Sequence, residues 1–198
     1  MRKLKKYMKI VLGVLIIILI LMILFGTTTV LPNKKESLEI IRSKYKQFVL
    51  LVLRQDMKYE EEYIEQYDNY ATKYYVIHDE GNLYKVTNFS KLTKNLFTNF
   101  GLKQFINKDK IVFEKGDYYI SAIGNISKLN YHDSDVEIVK TTPHSIKARI
   151  NSYFCEKKEC SDSQYKILKS EFIFMREGKE WKIDKFQFLE NEEVIFSE

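Results

Sequence analysis

The longest uninterrupted run of apolar positions lies near the start of the chain, from Ile10 to Phe25, and it reaches Leu31 once Thr27, Thr28 and Thr29 are admitted. As a helix, residues 10–31 would span about 33 Å at ~1.5 Å each, enough for a hydrocarbon core of ~30 Å. Arg2, Lys3, Lys5, Lys6 and Lys9 precede the run, a charge order that predicts a cytoplasmic N-terminus and an exported remainder. A cleaved signal peptide is the alternative, but Leu24-Phe25-Gly26 is a poor exit site and no Cys stands there to carry a lipid. The pattern thus predicts a basic cytoplasmic tail over 1–9, a transmembrane anchor over 10–31, and a single-pass protein of the cell membrane whose C-terminal part is extracytoplasmic.

Beyond the run, Pro32 to Ser37 reads as a short polar stem. Leu38, Ile41, Tyr45, Phe48 and Val52 then recur at three- and four-residue spacing, which predicts a helix that Ser37 is placed to cap. Phe48 to Leu53 is too short to cross a bilayer and reads as buried helix. Tyr59, Tyr63, Tyr67, Tyr70 and Tyr74 fall on nearly one helical face with acids between them. An amphipathic helix packed by its tyrosines is expected there; a Tyr face for a sugar or a partner is the sharper alternative. Residues 32–73 are therefore assigned to stem and helices.

Tyr74 to Tyr84 predicts two short strands about a turn at Asp79-Glu80-Gly81-Asn82. Phe89, Leu92, Leu96, Phe97, Phe100 and Phe105 mark a second helical region that Gly101 is expected to break. From Ile111 the period changes to two. Ile111–Glu114, Asp117–Ala122, Val136–Lys140, Ser145–Phe154 and Tyr165–Met175 read as strands, with a turn at 176–179 before "EWKIDKFQF". Helices followed by an antiparallel meander predict an α+β fold, with N-terminal helices packed on a curved antiparallel sheet and residues 74–198 as the extracytoplasmic domain.

Composition narrows the function classes. The hydrophobic share of 45%, with 14 Tyr and 13 Phe against 7 Gly and 2 Pro, suits a packed core and excludes a disordered or fibrous chain. The net charge of +5 is carried entirely by the five cations before Ile10, so acids and bases balance in the rest. A polyanion-binding domain needs a local cationic excess, and no nucleic-acid partner is expected.

Cys155 and Cys160 flank a four-residue polar loop in "CEKKEC". Outside the cytosol a disulfide closing a hairpin is expected. Free thiols or a metal site are the alternatives, although neither His132 nor His144 has a ligand-spaced partner. His78 stands alone beside its turn and reads as a surface or packing residue. There is no H-E-x-x-H, G-x-S-x-G or phosphate loop, and Asp133 with Asp135 beside His132 reads as a polar turn. No catalytic residue, metal or cofactor is expected.

Several marks recur in a known order. They are "YKVTNFSKL" with the following helical block (84–106), "IVFEKGDYY" (111–119), a small-residue loop with "GNIS" (124–127), and "GKEWKIDKF" (178–186). This order resembles the IseA-like proteins, exported inhibitors of cell-wall DL-endopeptidases in Gram-positive bacteria, and more broadly the NTF2-like extracytoplasmic domains. The resemblance covers roughly residues 74–188, and it implies a non-enzymatic protein that occludes a peptidase cleft with a loop. Carried onto this sequence, the partner-binding positions are Ile123, Gly124, Asn125, Ser127, Asn130 and Tyr131. Gly124 would permit close backbone approach, Asn125 and Ser127 would hydrogen-bond, and Tyr131 would be an aromatic anchor. A short basic tail, one span and an NTF2-like exported domain is also the layout of VirB8-like assembly subunits of conjugation or secretion machines. A third reading is a wall-component binder using Tyr59, Tyr63 and Tyr67.

Overall fold

A computed structural model describes residues 31–64, 83–121, 129–156, 160 and 164–195. Pro32–Glu198 forms one compact unit, distinct from Met1–Leu31. The first described helix, α1 (Lys34–Val52), starts where Asn33 Oδ1 accepts the Glu36 N–H at 2.9 Å. Asn33 is therefore the cap that the sequence reading assigned to Ser37. Ser37 lies inside the helix and is buried. The apolar face of α1 carries Ile41, Tyr45, Phe48, Val49 and Val52, all buried, and the expected spacing is realised.

The tyrosine-rich segment begins as a strand, not a helix: β1 (Tyr59–Ile64) pairs antiparallel with β2 (Leu83–Val86). A four-residue spacing of tyrosines suits one face of a strand as well as one face of a helix. Tyr67, Tyr70, Tyr74 and the turn expected at 79–82 lie outside the described residues. Two short helices follow, α2 (Phe89–Lys94) and α3 (Asn99–Lys108), separated at 95–98 and not at Gly101. Thr98 caps α3, its Oγ1 accepting the Gly101 N–H at 3.1 Å and donating to Asp184 Oδ1 at 2.8 Å.

Two antiparallel sheets replace the single sheet that was expected. The smaller, in order β1-β2-β4-β3, uses β3 (Val112–Glu114) and β4 (Asp117–Ser121). Lys115 and Gly116 form the β3–β4 turn, both at positive φ (51° and 92°), which is the backbone of a tight primed hairpin turn. The larger is a four-stranded meander of β5 (Asn130–Thr141), β6 (Ser145–Cys155), β7 (Lys166–Glu177) and β8 (Glu180–Glu190).

One face of the meander is the core. Ile146, Ala148, Ile150, Phe154, Leu168, Phe172, Phe174, Ile183 and Phe186 are buried there with the apolar side of α1. The Phe48 ring lies 5.1 Å from Phe172 and 5.0 Å from Phe186, centroid to centroid. Tyr45 meets Phe172 edge-on at 5.2 Å, and its hydroxyl accepts a 2.6 Å bond from Ser152 Oγ. Burial holds that phenol far above its ordinary titration range. The opposite face carries cross-strand pairs, among them Lys147–Glu171 at 2.6 Å and Lys169–Glu190 at 2.6 Å. Partly exposed pairs of this kind favour solubility more than stability.

The transmembrane helix in the expected fold class is not supported. Among the described residues no helix is long and apolar enough to cross a membrane. Leu31, the last residue of the expected span, is outside any helix, and residues 10–30 lie outside the described residues.

The two edges of the meander differ. Along β8, Ile183 N–H donates to Leu96 O at 2.8 Å and Ile183 O accepts from Thr98 N–H at 3.0 Å. Further along, the Gln104 amide brackets Phe186, donating to its carbonyl at 2.6 Å and accepting its N–H at 3.2 Å. This approach explains Gly101, where a Cβ would overlap the Ile183 carbonyl oxygen, well inside van der Waals contact, so that the backbone would have to shift. Gly101→Ala should therefore lower the unfolding free energy by about 1–3 kcal/mol in urea titration, and an unchanged midpoint would show that the α3–β8 contact is looser than described.

Candidate functional site

Of the sequence-derived binding positions, Asn130 and Tyr131 lie among the described residues, at the start of β5. Ile123, Gly124, Asn125 and Ser127 lie outside the described residues, but the connection that contains them is held at both ends. It leaves β4 at Ser121 and enters β5 at Asn130. Leu129, just before that entry, is buried in the core. Asn130 stands opposite Cys155 in the β5–β6 register, and Tyr131 stands opposite Phe154.

Tyr131 is half-buried and fixed from several sides. Its ring meets Tyr45 at 6.1 Å and Phe154 at 5.8 Å, and its hydroxyl donates to Ser134 Oγ at 3.0 Å. Burial raises the Tyr131 phenol above its ordinary range, against a lowering by the Ser134 hydrogen bond. The residue keys the base of the connection to α1 and β6, so its ring is committed mainly to the core.

The cysteines belong to the same end. Cys155 terminates β6, and Cys160 stands at disulfide distance from it with Cα atoms 6.4 Å apart, inside the usual range. Beside the pair is a cleft of about 240 Å³ lined by Leu129, Glu156, Cys160, Gln164 and Lys166. Lys166 and Glu156 form an ion pair at 3.7 Å within that lining.

A ring cluster that sequence reasoning missed lies nearby. Tyr165 meets His132 at 5.3 Å and Tyr153 at 6.0 Å, both edge-on. Tyr153 Oη donates to Asp135 Oδ2 at 2.5 Å, and that bond raises the phenol's pKa. Asp133 and Asp135 are therefore not in a turn. They sit in β5 opposite Tyr153 and Asn151, and two-residue spacing puts both on one face. The available signal was the run of alternating residues from Asn130 to Glu137, read too short because polar side chains dominate its exposed half. Among the described residues no group of three His, Cys, Asp or Glu side chains gathers as a metal site.

Tyr59, offered for wall binding, lies on β1 opposite Val86, in the other sheet. Its hydroxyl approaches Met57 Sδ at 3.6 Å. The arrangement at the β5–β6 end offers hydrogen-bond donors and acceptors, aromatic edges and a small cleft on rigid strands. No family model matches the chain, and no curated protein matches it either.

If Cys155 and Cys160 are bonded, chain prepared without reductant and denatured should show no free thiol, and reduction should cost about 2 kcal/mol for so short a closed loop. Finding two titratable thiols would remove the staple from this account.

Proposed function

We propose that this protein is a non-enzymatic, exported binding module that docks a protein partner through the β4–β5 connection and the adjoining end of the meander. The partner suggested by the IseA-like resemblance is a cell-wall DL-endopeptidase, whose substrate cleft the connection would occlude. The observation that carries the reading is the placement of that connection. It runs from one sheet into the other, and its exit is pinned by Leu129, the Asn130–Cys155 register and the packed Tyr131. The cysteine pair beside Asn130 supports a working place outside the reducing cytosol.

One observation favours a second reading, an NTF2-like assembly subunit of a conjugation or secretion apparatus. β5 and β8 are the terminal strands of the meander; residues 96–98 cover the edge of β8, while among the described residues no strand pairs with the outer edge of β5. A long edge strand is a template for pairing with another chain, although two register shifts along β5 twist it locally.

The two readings part in one assay. Full chain added to a purified DL-endopeptidase should slow peptidoglycan cleavage, and Asn125→Ala with Asn130→Ala should weaken that inhibition at least tenfold. Undiminished cleavage at saturating protein, accompanied by concentration-dependent self-association, would replace the inhibitor with the assembly subunit.

A further inference from the structure

The edge of β8 is closed by residues 96–98, which exchange backbone hydrogen bonds with Ile183. Among the described residues no strand pairs with the outer edge of β5. Register shifts lie between Tyr131 and Asp133 and between Ile138 and Lys140, so β5 runs regularly over 133–138. A regular edge of that length presents a row of backbone donors and acceptors to an extended segment whose side chains match its own.

Those side chains are strongly patterned. Asp133, Asp135 and Glu137 are exposed on the outer face, opposite Tyr153, Asn151 and Arg149 of β6. Tyr153 Oη donates to Asp135, and the Ser134 N–H donates to Asp133 Oδ1 at 2.7 Å. Arg149 reaches Glu137 at 3.7 Å but is shared with Glu171 of β7 at 3.6 Å, which Lys147 also contacts. Charge on this face therefore alternates by strand, with acids on β5, the cations Lys147 and Arg149 on β6, and Glu171 on β7. His132 and Lys140 lie at the two ends of the run, at the register shifts. On the inner face Ser134 is buried, and Val136 and Ile138 are partly buried against the core.

We propose that the 133–138 edge of β5 binds an extended segment of a different protein, one with Lys or Arg at every second position and aliphatic residues between them. Added as a further strand, it sets its cations beside Asp133, Asp135 and Glu137, which continues the alternation of charge across the sheet. Its aliphatic side chains then cover Val136 and Ile138 on the other face. Opposite charges on neighbouring strands attract, and like charges directly opposite one another repel. The same rule disfavours a second copy as the occupant. Residues opposed in an antiparallel pair share a face, so two-fold pairing centred on any residue of 133–137 sets carboxylate against carboxylate. The site uses the edge on which the assembly reading rests and gives that reading a partner strand of different sequence. It stands whether or not the β4–β5 connection occludes a peptidase.

Titration of the full chain with a soluble peptide of four lysines alternating with three valines, followed by amide hydrogen exchange, tests the site. At saturating peptide the outward-facing amides within 133–138 should gain about tenfold protection or more, with β8 amides unchanged. A block peptide of the same composition, lysines first and valines last, should bind about tenfold more weakly, because its cations cannot share one face of a strand. Asp133→Lys combined with Glu137→Lys should weaken the alternating peptide by about tenfold or more while β6 amides keep their protection. Equal binding of the two peptides, protection gained away from the β5 edge, or undiminished binding by the doubly substituted chain would each overturn the site. So would β5 edge amides protected by self-association before any peptide is added. Should the substituted chain fail to fold, the two peptides compared on the unaltered chain decide it. Peptide binding is read apart from peptidoglycan cleavage, so the site and the inhibitor reading can fail separately.

Discussion

The ring of Phe48 is the contact on which the described architecture rests. It lies on the buried face of α1 and meets Phe172 of β7, Phe186 of β8, Phe105 of α3 and Phe97 before α3. One side chain therefore joins the helix, two strands of the meander and the helical connection. Edge-to-face pairs of this kind add about 0.5–1.5 kcal/mol each beyond the area they bury. A 19-residue helix with so polar an outer face gains most of its stability from such tertiary packing, not from intrinsic propensity. Tyr45, one turn earlier, extends the contact to Tyr131, so the base of the candidate binding connection is referenced to the same helix.

The asymmetry of the meander's edges follows from that packing. Once α1 and α3 are seated, the backbone of residues 96–98 and the amide of Gln104 reach β8 and occupy its edge. Among the described residues no strand pairs with the outer edge of β5. The end where β5 begins is also where the cysteine pair, the small cleft and the His132–Tyr165–Tyr153 rings gather. Strands supply the rigidity there, and the connections between them supply the variable surface. That division of labour is why the binding proposal is placed at this end of the meander.

Legibility from sequence tracked the dominance of a single period. The helix over 34–52 and the strands over 145–155 and 166–177 were readable, because their apolar positions recur without conflict and both of their faces have one clear environment. The start of β5 was not, since Asp133 and Asp135 mimic a turn while Ser134 and Val136 face inward with little hydrophobic signal. β1 was misread as helix because Tyr59 and Tyr63 satisfy both periods, and its pairing with β2 is long-range information. The break between α2 and α3 was displaced to Gly101 since glycine signals both chain breaks and close approach; here Ile183 requires the second. Among the candidate binding residues, nothing in the sequence put Asn130 and Tyr131 beside the cysteines. Their register against Cys155 and Phe154 needed the fold.

Equilibrium urea unfolding of Phe48→Ala, followed by near-ultraviolet circular dichroism, tests the central claim most directly. The account predicts a loss of about 3–5 kcal/mol, with the tyrosine signal weakened in the remaining folded state as Tyr45 and Tyr131 lose their reference surface. A loss under about 1 kcal/mol with an unchanged aromatic spectrum would contradict it, because α1 would then be seated by something other than this ring.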